Sequence, residues 1–486
     1  MAAARARQRA MIATLLRQDL RQLSRERALA LALAIALAAV AYATWSGSRW
    51  KAERLDEIAA AAGERSRSYA AELAQLEGLA RGDLDIAEVG GAGLPNAVET
   101  TYLLPPGALA ALSIGDADLR PAKATITAVS RATDMFRFYQ VDNPALLALG
   151  RFDLAFVVVY LLPLLIIGMN YGVLAADRET GALALLLSQP LTAARVAWTR
   201  IGLRSGIVAA AVVVGGICGW LLFTPDPFAT PPLLRLLLWS GVVFAYGAFW
   251  AALSGLVASG ERGSDGNALL LLLCWAVVTF LLPSLISVCA QVLSPTPSRL
   301  AYVTTARAAE NAANREGPAL VRSFLMDHPE LEIEEQSAVA PFVKTYVLVQ
   351  QRVDAAVAPI TTAFEQRLDR QQALGGALSW LSPASLTRGT LARIAGSGLD
   401  RHRRFEAEAQ SLRRRWLAAL EAPIVAGRRL SAREFSELPR PAFHDTTAAS
   451  VARRTAAPVA ALLVYAGLLA ALAQWRFRRR GSGASS

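Results

Sequence analysis

Cysteine, histidine and lysine are scarce in this chain, and each scarcity removes a class of chemistry. The three cysteines, Cys218, Cys274 and Cys289, sit singly in apolar runs, with no C-x-x-C and no histidine beside them. Neither a metal site nor a disulfide framework follows, and they read as small buried apolar residues. His328, His402 and His444 lie far apart, with only Asp327 and Asp445 adjacent to any of them, so they read as surface or packing histidines. No Gly-x-x-x-x-Gly-Lys-Ser/Thr loop occurs, so binding or hydrolysis of ATP by that route is not expected. G-x-S-x-G, H-E-x-x-H and paired intramembrane aspartates are missing as well, which argues against a membrane peptidase. The chain is therefore expected to be no enzyme, with no catalytic, cofactor-binding or metal-ligating residue and no cofactor.

Charge is also sparse. Only 18% of the 486 residues are charged and 54% are hydrophobic, too apolar for an ordinary soluble domain. The net charge of +11 comes from arginines that flank apolar runs, without a zinc-finger, RNP or basic-helix pattern. It reads as a membrane-orientation signal, and no nucleic-acid partner is expected.

What the chain has in abundance is long apolar runs. Six are long enough to cross a bilayer: 28–46, 153–176, 201–223, 233–258, 268–291 and 456–474. Their cores carry no Asp, Glu, Lys or Arg, whereas an ion-coupled carrier places an ionisable group at that depth. Arginines gather before the first run, between the second and third, and after the sixth. Those places share one side only if both termini are cytoplasmic. Residues 1–27, with Ile12, Leu15, Leu16, Leu20 and Leu23 at helical spacing among arginines, read as an interfacial amphipathic helix. The first run reads as an uncleaved signal anchor. Two insertions, 47–152 and 292–455, then face outward, and 475–486 is a basic cytoplasmic tail. A helix is expected over Lys51–Leu79, short strands around Ala124–Val129, and a long helix over Glu330–Leu374 packed along the first insertion's helix. Asp142, Asn143, Arg151 and Asp153 suggest a salt bridge or cap where the first insertion meets the second run. The fold class is thus an all-α polytopic membrane protein with six transmembrane helices and a mainly helical extracytoplasmic domain built from two insertions.

One charged stretch stands apart, 177–200, DRETGALALLLSQPLTAARVAWTR. Asp177, Arg178 and Glu179 are expected to open a short helix with Thr180 assisting as a cap, and Leu183, Leu186 and Leu187 form its apolar face. Pro190 ends it, and Thr192 starts a second short helix carrying Arg195 and Arg200. Within the spans, Pro163, Gly168 and Asn170 permit a hinge and one interhelical hydrogen bond. Ser205, Gly206, Gly215, Gly216 and Gly219 suit close helix approach, expected at a subunit interface.

The string RETGALALLLSQPLTAARV resembles the cytoplasmic coupling segment of ABC-2 type transporter permeases. The stretches 103–122, 141–166, 378–410 and FSELPRPAFHD (435–445) resemble one permease subgroup with large extracytoplasmic insertions, known as the domain of unknown function DUF3526. The resemblance implies a permease subunit in a bacterial inner membrane, acting as an exporter. A separate cytoplasmic ABC ATPase subunit would drive it through the 177–195 helix. It further implies a second permease subunit, a copy or a paralogue, alongside the lipid bilayer. ATPase coupling would fall to Arg178, Glu179, Thr180, Gly181, Leu183, Leu186, Leu187, Ser188, Gln189, Pro190 and Arg195. The alternative is a non-transporting scaffold or force relay acting through the outer domain on an extracytoplasmic partner.

Overall fold

The structure, a computed structural model, describes residues 27–128, 151–189, 191–224, 233–295 and 341–483, with isolated residues at 16–21, 135 and 300–326. Helix α1 (Arg27–Arg81) is a single 55-residue rod. Its first third is alanine and leucine. Beyond the bilayer run it continues on good helix formers laced by Arg49–Glu53 and Arg54–Glu57 pairs at 2.9 and 3.0 Å. At 1.5 Å per residue it is roughly 80 Å long, so the expected first span and Lys51–Leu79 helix are one element.

Strands β1 (Glu99–Leu103) and β2 (Lys123–Thr127) pair antiparallel, Thr101 opposite Thr125. Thr100, Tyr102, Ala124 and Ile126 point to the buried face, as the two-residue alternation requires. The second span opens on one α-turn, Leu154–Phe156, passes through a π-turn, Val157–Leu161, and continues as α2 (Leu162–Asn170). After a break at 171–174 come α3 (Ala175–Glu179) and α4 (Ala182–Leu187). Then follow α5 (Ala193–Phe223), α6 (Leu233–Ala258) and α7 (Ser264–Ala276), a second π-turn (Val277–Leu281), and α8 (Leu282–Leu293). The remaining helices are α9 (Pro341–Leu378), α10 (Pro383–Ala395), α11 (Leu399–Val425), α12 (Ala432–Glu437) and α13 (Ala448–Gly483).

Among the described residues, six helices are long and apolar enough to cross a membrane. Their bundle is centred on α6, whose Trp239, Tyr246 and Trp250 are wholly buried and which packs along α13 and α5. A second core joins Leu76 of α1, Tyr102 and Ile126 of the hairpin, Phe405 and Trp416 of α11, and Phe435 of α12. Both insertions therefore build one body at one end of the bundle, the insertion end; residues 171–200 mark the other, the lever end. Helix α10 belongs to the second insertion by sequence, yet its Leu386, Leu391 and Ile394 lie in the core of the bundle.

Four local expectations change. The helix carrying Arg195 and Arg200 is not separate; it is the foot of α5, because no proline interrupts the chain after Thr192. The long helix is described over Pro341–Leu378, residues 330–340 of the expected helix lying outside the described residues, and it packs on α8 and lightly on α11, not along α1, whose outer part is already met by β1 and α12. Gly215, Gly216 and Gly219 do not lie open for a second subunit. A Cβ there would stand 3.1 Å from Val40, 2.6 Å from Leu154 and 2.8 Å from Thr44, so these glycines admit the chain's own first and second spans. Cys218 and Cys289 are exposed on the outer faces of their helices and Cys274 is half-buried, because small residues there face away from the bundle.

Candidate functional site

The lever end is assembled from the break in the second span. Ending α2 at Asn170 leaves carbonyls without helical partners, and arginines from α5 supply donors. Arg204 donates to Met169 O at 2.9 Å and Arg200 to Val173 O at 3.1 Å. Cations at a helix C-terminus also meet its partial negative charge. Each arginine holds an acid as well. Arg200 pairs with Asp177, and Arg204 pairs at 2.8 Å with Asp19, a buried residue of the N-terminal segment that Arg200 also approaches at 3.7 Å. Asn170 donates from Nδ2 to Ser205 Oγ at 3.1 Å, the interhelical bond expected of it.

Asp177 to Glu179 finish α3 rather than open α4. The Thr180 hydroxyl bonds back to Ala176 O at 2.9 Å, so it does not cap α4. Gly181 holds the turn at φ +75°, a left-handed conformation that costs other residues strain. Arg178 donates to Gly260 O at 3.4 Å. The Glu179 carboxylate accepts from Ser264 N at 2.7 Å and Ser264 Oγ at 3.1 Å, capping α7 from another part of the chain. These two side chains bolt the lever to the turn between the fourth and fifth spans.

Helix α4 has two distinct faces. Leu183 and Leu186 pack on Val173, Leu174, Val196, Ala197 and Ile201. Leu185 is 74% exposed and Leu187 41%, with Ser188 and Gln189 exposed after them. The expected contact set of Leu183, Leu186 and Leu187 is thus split, and Leu185 was missed. A run of three leucines gives no phase by itself; the seat formed by α5 sets it. Pro190 lies outside the described residues. Thr192 caps α5, its hydroxyl accepting from Arg195 N at 3.3 Å.

Of the expected hinge residues, Pro163 follows the π-turn directly, whereas Gly168 is exposed with open space around it. Among the described residues no group of three or more His, Cys, Asp or Glu could hold a metal.

At the insertion end, Asp153 caps the second span, accepting from Phe156 N at 2.7 Å, and it takes Ile114 N at 2.8 Å besides. Arg151 pairs with Asp118, which also receives the Trp50 indole N–H. Asp142 and Asn143 lie outside the described residues. Arg235 of α6 reaches Ile394 O at 3.2 Å and Thr446 O at 3.0 Å. Arg401 grips Pro105 O at 2.7 Å and Asp445 at 3.0 Å. Burial works to raise the Asp445 carboxyl, but hydrogen bonds and charge from Arg401 hold it below its ordinary value. His402 stands 3.3 Å from Glu406, and His444 stands 3.9 Å from Glu408. His328 lies outside the described residues.

Among the described residues, six helices long and apolar enough to cross a membrane surround one buried aromatic column, which suggests a multi-pass helical membrane protein. A family model described as "Domain of unknown function (DUF3526)" matches residues 299–444, the stretch that holds α9 to α12. No curated protein and no solved structure matches. The geometry presents a small helix with one face seated and one face bare, linked by side chains to the second, third and fifth spans.

Proposed function

We propose that the chain is the permease subunit of an ABC-2 type exporter, driven by a separate cytoplasmic ATPase that docks on α4. In this reading the lever end is cytoplasmic and the insertions face outward across a bacterial inner membrane. The supporting observation is the bare Leu185–Leu187 face on a helix whose other side is seated on α5. A force applied there passes into the second and third spans through Leu183, Leu186 and the Asp177–Arg200 pair, and into the fifth through Glu179. A second permease subunit, a copy or a paralogue, completes the assembly. A force relay without cargo is the second reading. It is favoured by α10, which roots the outer body in the bundle.

Purification of the detergent-solubilised complex tests the docking. A P-loop ATPase should accompany the wild-type chain and the outer-body variant Glu437→Ala, and be lost from Leu185→Asp. Retention of that ATPase by Leu185→Asp, ATP hydrolysis by the chain alone, or labelling of residue 185 from outside would defeat the reading.

A further inference from the structure

The second and fifth spans carry the same ten-residue pattern. VVVYLLPLLI (157–166) and VVTFLLPSLI (277–286) agree at seven of ten positions. Both stretches fold alike, as a π-turn with proline at the second residue of the helix that follows. In each, the N–H of the residue before proline bonds five residues back, Leu162 to Val157 O and Leu282 to Val277 O. The carbonyls of Val158 and Val278 thereby lose their ordinary helical partner. The prolines, having no N–H, withhold the partner of Val159 O and Thr279 O.

Side chains from other elements take up two of these carbonyls and that of the adjacent Tyr160. Tyr246 of α6 donates to Val159 O at 3.1 Å. Ser382, the N-cap of α10, donates to Val278 O at 3.4 Å. The Trp275 indole crosses from the fifth span to Tyr160 O at 3.2 Å. Tyr160 and Phe280, which occupy the same place in the two copies, stack on each other at 5.5 Å. The two breaks therefore lie side by side in antiparallel helices. π-turns and prolines are the usual places where helices bend, since fewer internal bonds oppose it.

We propose that the two breaks work as one hinge, coupled through the Tyr160–Phe280 stack and the Trp275 bond. Ser382 is the contact by which the outer body follows its bend. This proposal does not rest on the ATPase reading. The lever lies at the far end of the second span and Glu179 holds the start of the fifth, so any movement of α4 reaches both helices below the hinge. Above it, α10 touches both π-turns.

Amide hydrogen exchange on the full chain in lipid nanodiscs, without nucleotide or partner, tests the coupling. Pro163→Ala restores an N–H for Val159 O and should slow exchange in 157–162 and equally in 277–282. Ser382→Ala should speed exchange in both segments, by about fivefold, the factor that one hydrogen bond is worth. Paired changes of opposite sign cannot come from general loosening of the fold. Changes confined to the helix that carries the substitution, or to the fifth span alone for Ser382→Ala, would overturn the proposal.

Discussion

The two ends of the bundle are secured by different physics. At the insertion end two sequence-distant insertions share a close-packed core around Phe405 and Trp416, and Arg235 and Arg401 grip backbone carbonyls across the seam. At the lever end the helices are only five and six residues long, and what joins them is a small apolar seat under Leu183 and Leu186 and a few charged contacts: Asp19 and Asp177 with Arg200 and Arg204, and Glu179 on Ser264. A packed core resists displacement in every direction, because interior side chains have nowhere to go. An ion-pair node holds one geometry and yields when a single partner shifts. The lever end thus yields more readily than the insertion end, as the proposed function requires.

Substitutions can sharpen or break that contrast. Phe405→Ala, at a wholly buried ring stacked on Tyr102, should cost the outer body roughly 3–5 kcal/mol, read as a lower denaturation midpoint by tryptophan fluorescence. The lever end should not respond. Asp19→Ala leaves Arg204 without its acid and should cost roughly 3 kcal/mol there, the low end for a broken buried pair because both arginines keep backbone carbonyl partners. Its readout is faster thiol labelling of a cysteine placed at Leu16, with outer-body stability unchanged. Glu179→Gln weakens the cap on α7 and should cost about 1 kcal/mol. Exchange of the Ser264–Asn267 amides should quicken while the α13 amides stay as they are.

The smallest effect is one of pH in the outer body. Arg428, 2.6 Å away, first by hydrogen bonding, and the Ser431 N–H pull Glu434 down to about 2 from 4.5. A carboxylate with a depressed folded pKa stabilises above its unfolded value and loses that contribution as the pH falls through the folded one. The gap between wild type and Glu434→Gln should therefore be constant above pH 4.5 and vanish toward pH 2. It should not exceed about 1 kcal/mol, since the pair is partly solvent-exposed and screened. A gap that widens with acid would contradict the assignment.

Much of the architecture was legible in residue order. The uncharged runs are long and apolar enough to cross a bilayer whatever surrounds them, and Thr192 announces a cap through backbone chemistry that acts within a few residues, whereas the turn at Gly181 falls within what reads as the interior of a helix. Asn170 likewise declared a hydrogen bond across helices, because a lone amide in an apolar run needs a partner. Periodicity failed where the deciding partner is remote in sequence. It could not show which leucines of α4 face inward, since Leu183 and Leu186 are selected by α5. Nor could it show that Glu179 caps a helix 85 residues away. Asp19 had one visible signal, an acid in an arginine-rich segment whose one other acid is Glu26, but only folding shows which arginines claim it.

By itself, then, the order of residues determined the long apolar runs, the cap at Thr192 and the position of a charged segment between the second and third runs. These are consequences of local hydropathy and backbone geometry. Tertiary structure alone decided which surfaces join the two insertions, that α10 enters the bundle, and that two copies of one break stand against each other. Those outcomes depend on which surfaces, hundreds of residues apart, exclude water and satisfy one another's polar groups, and no stretch of sequence carries that information alone.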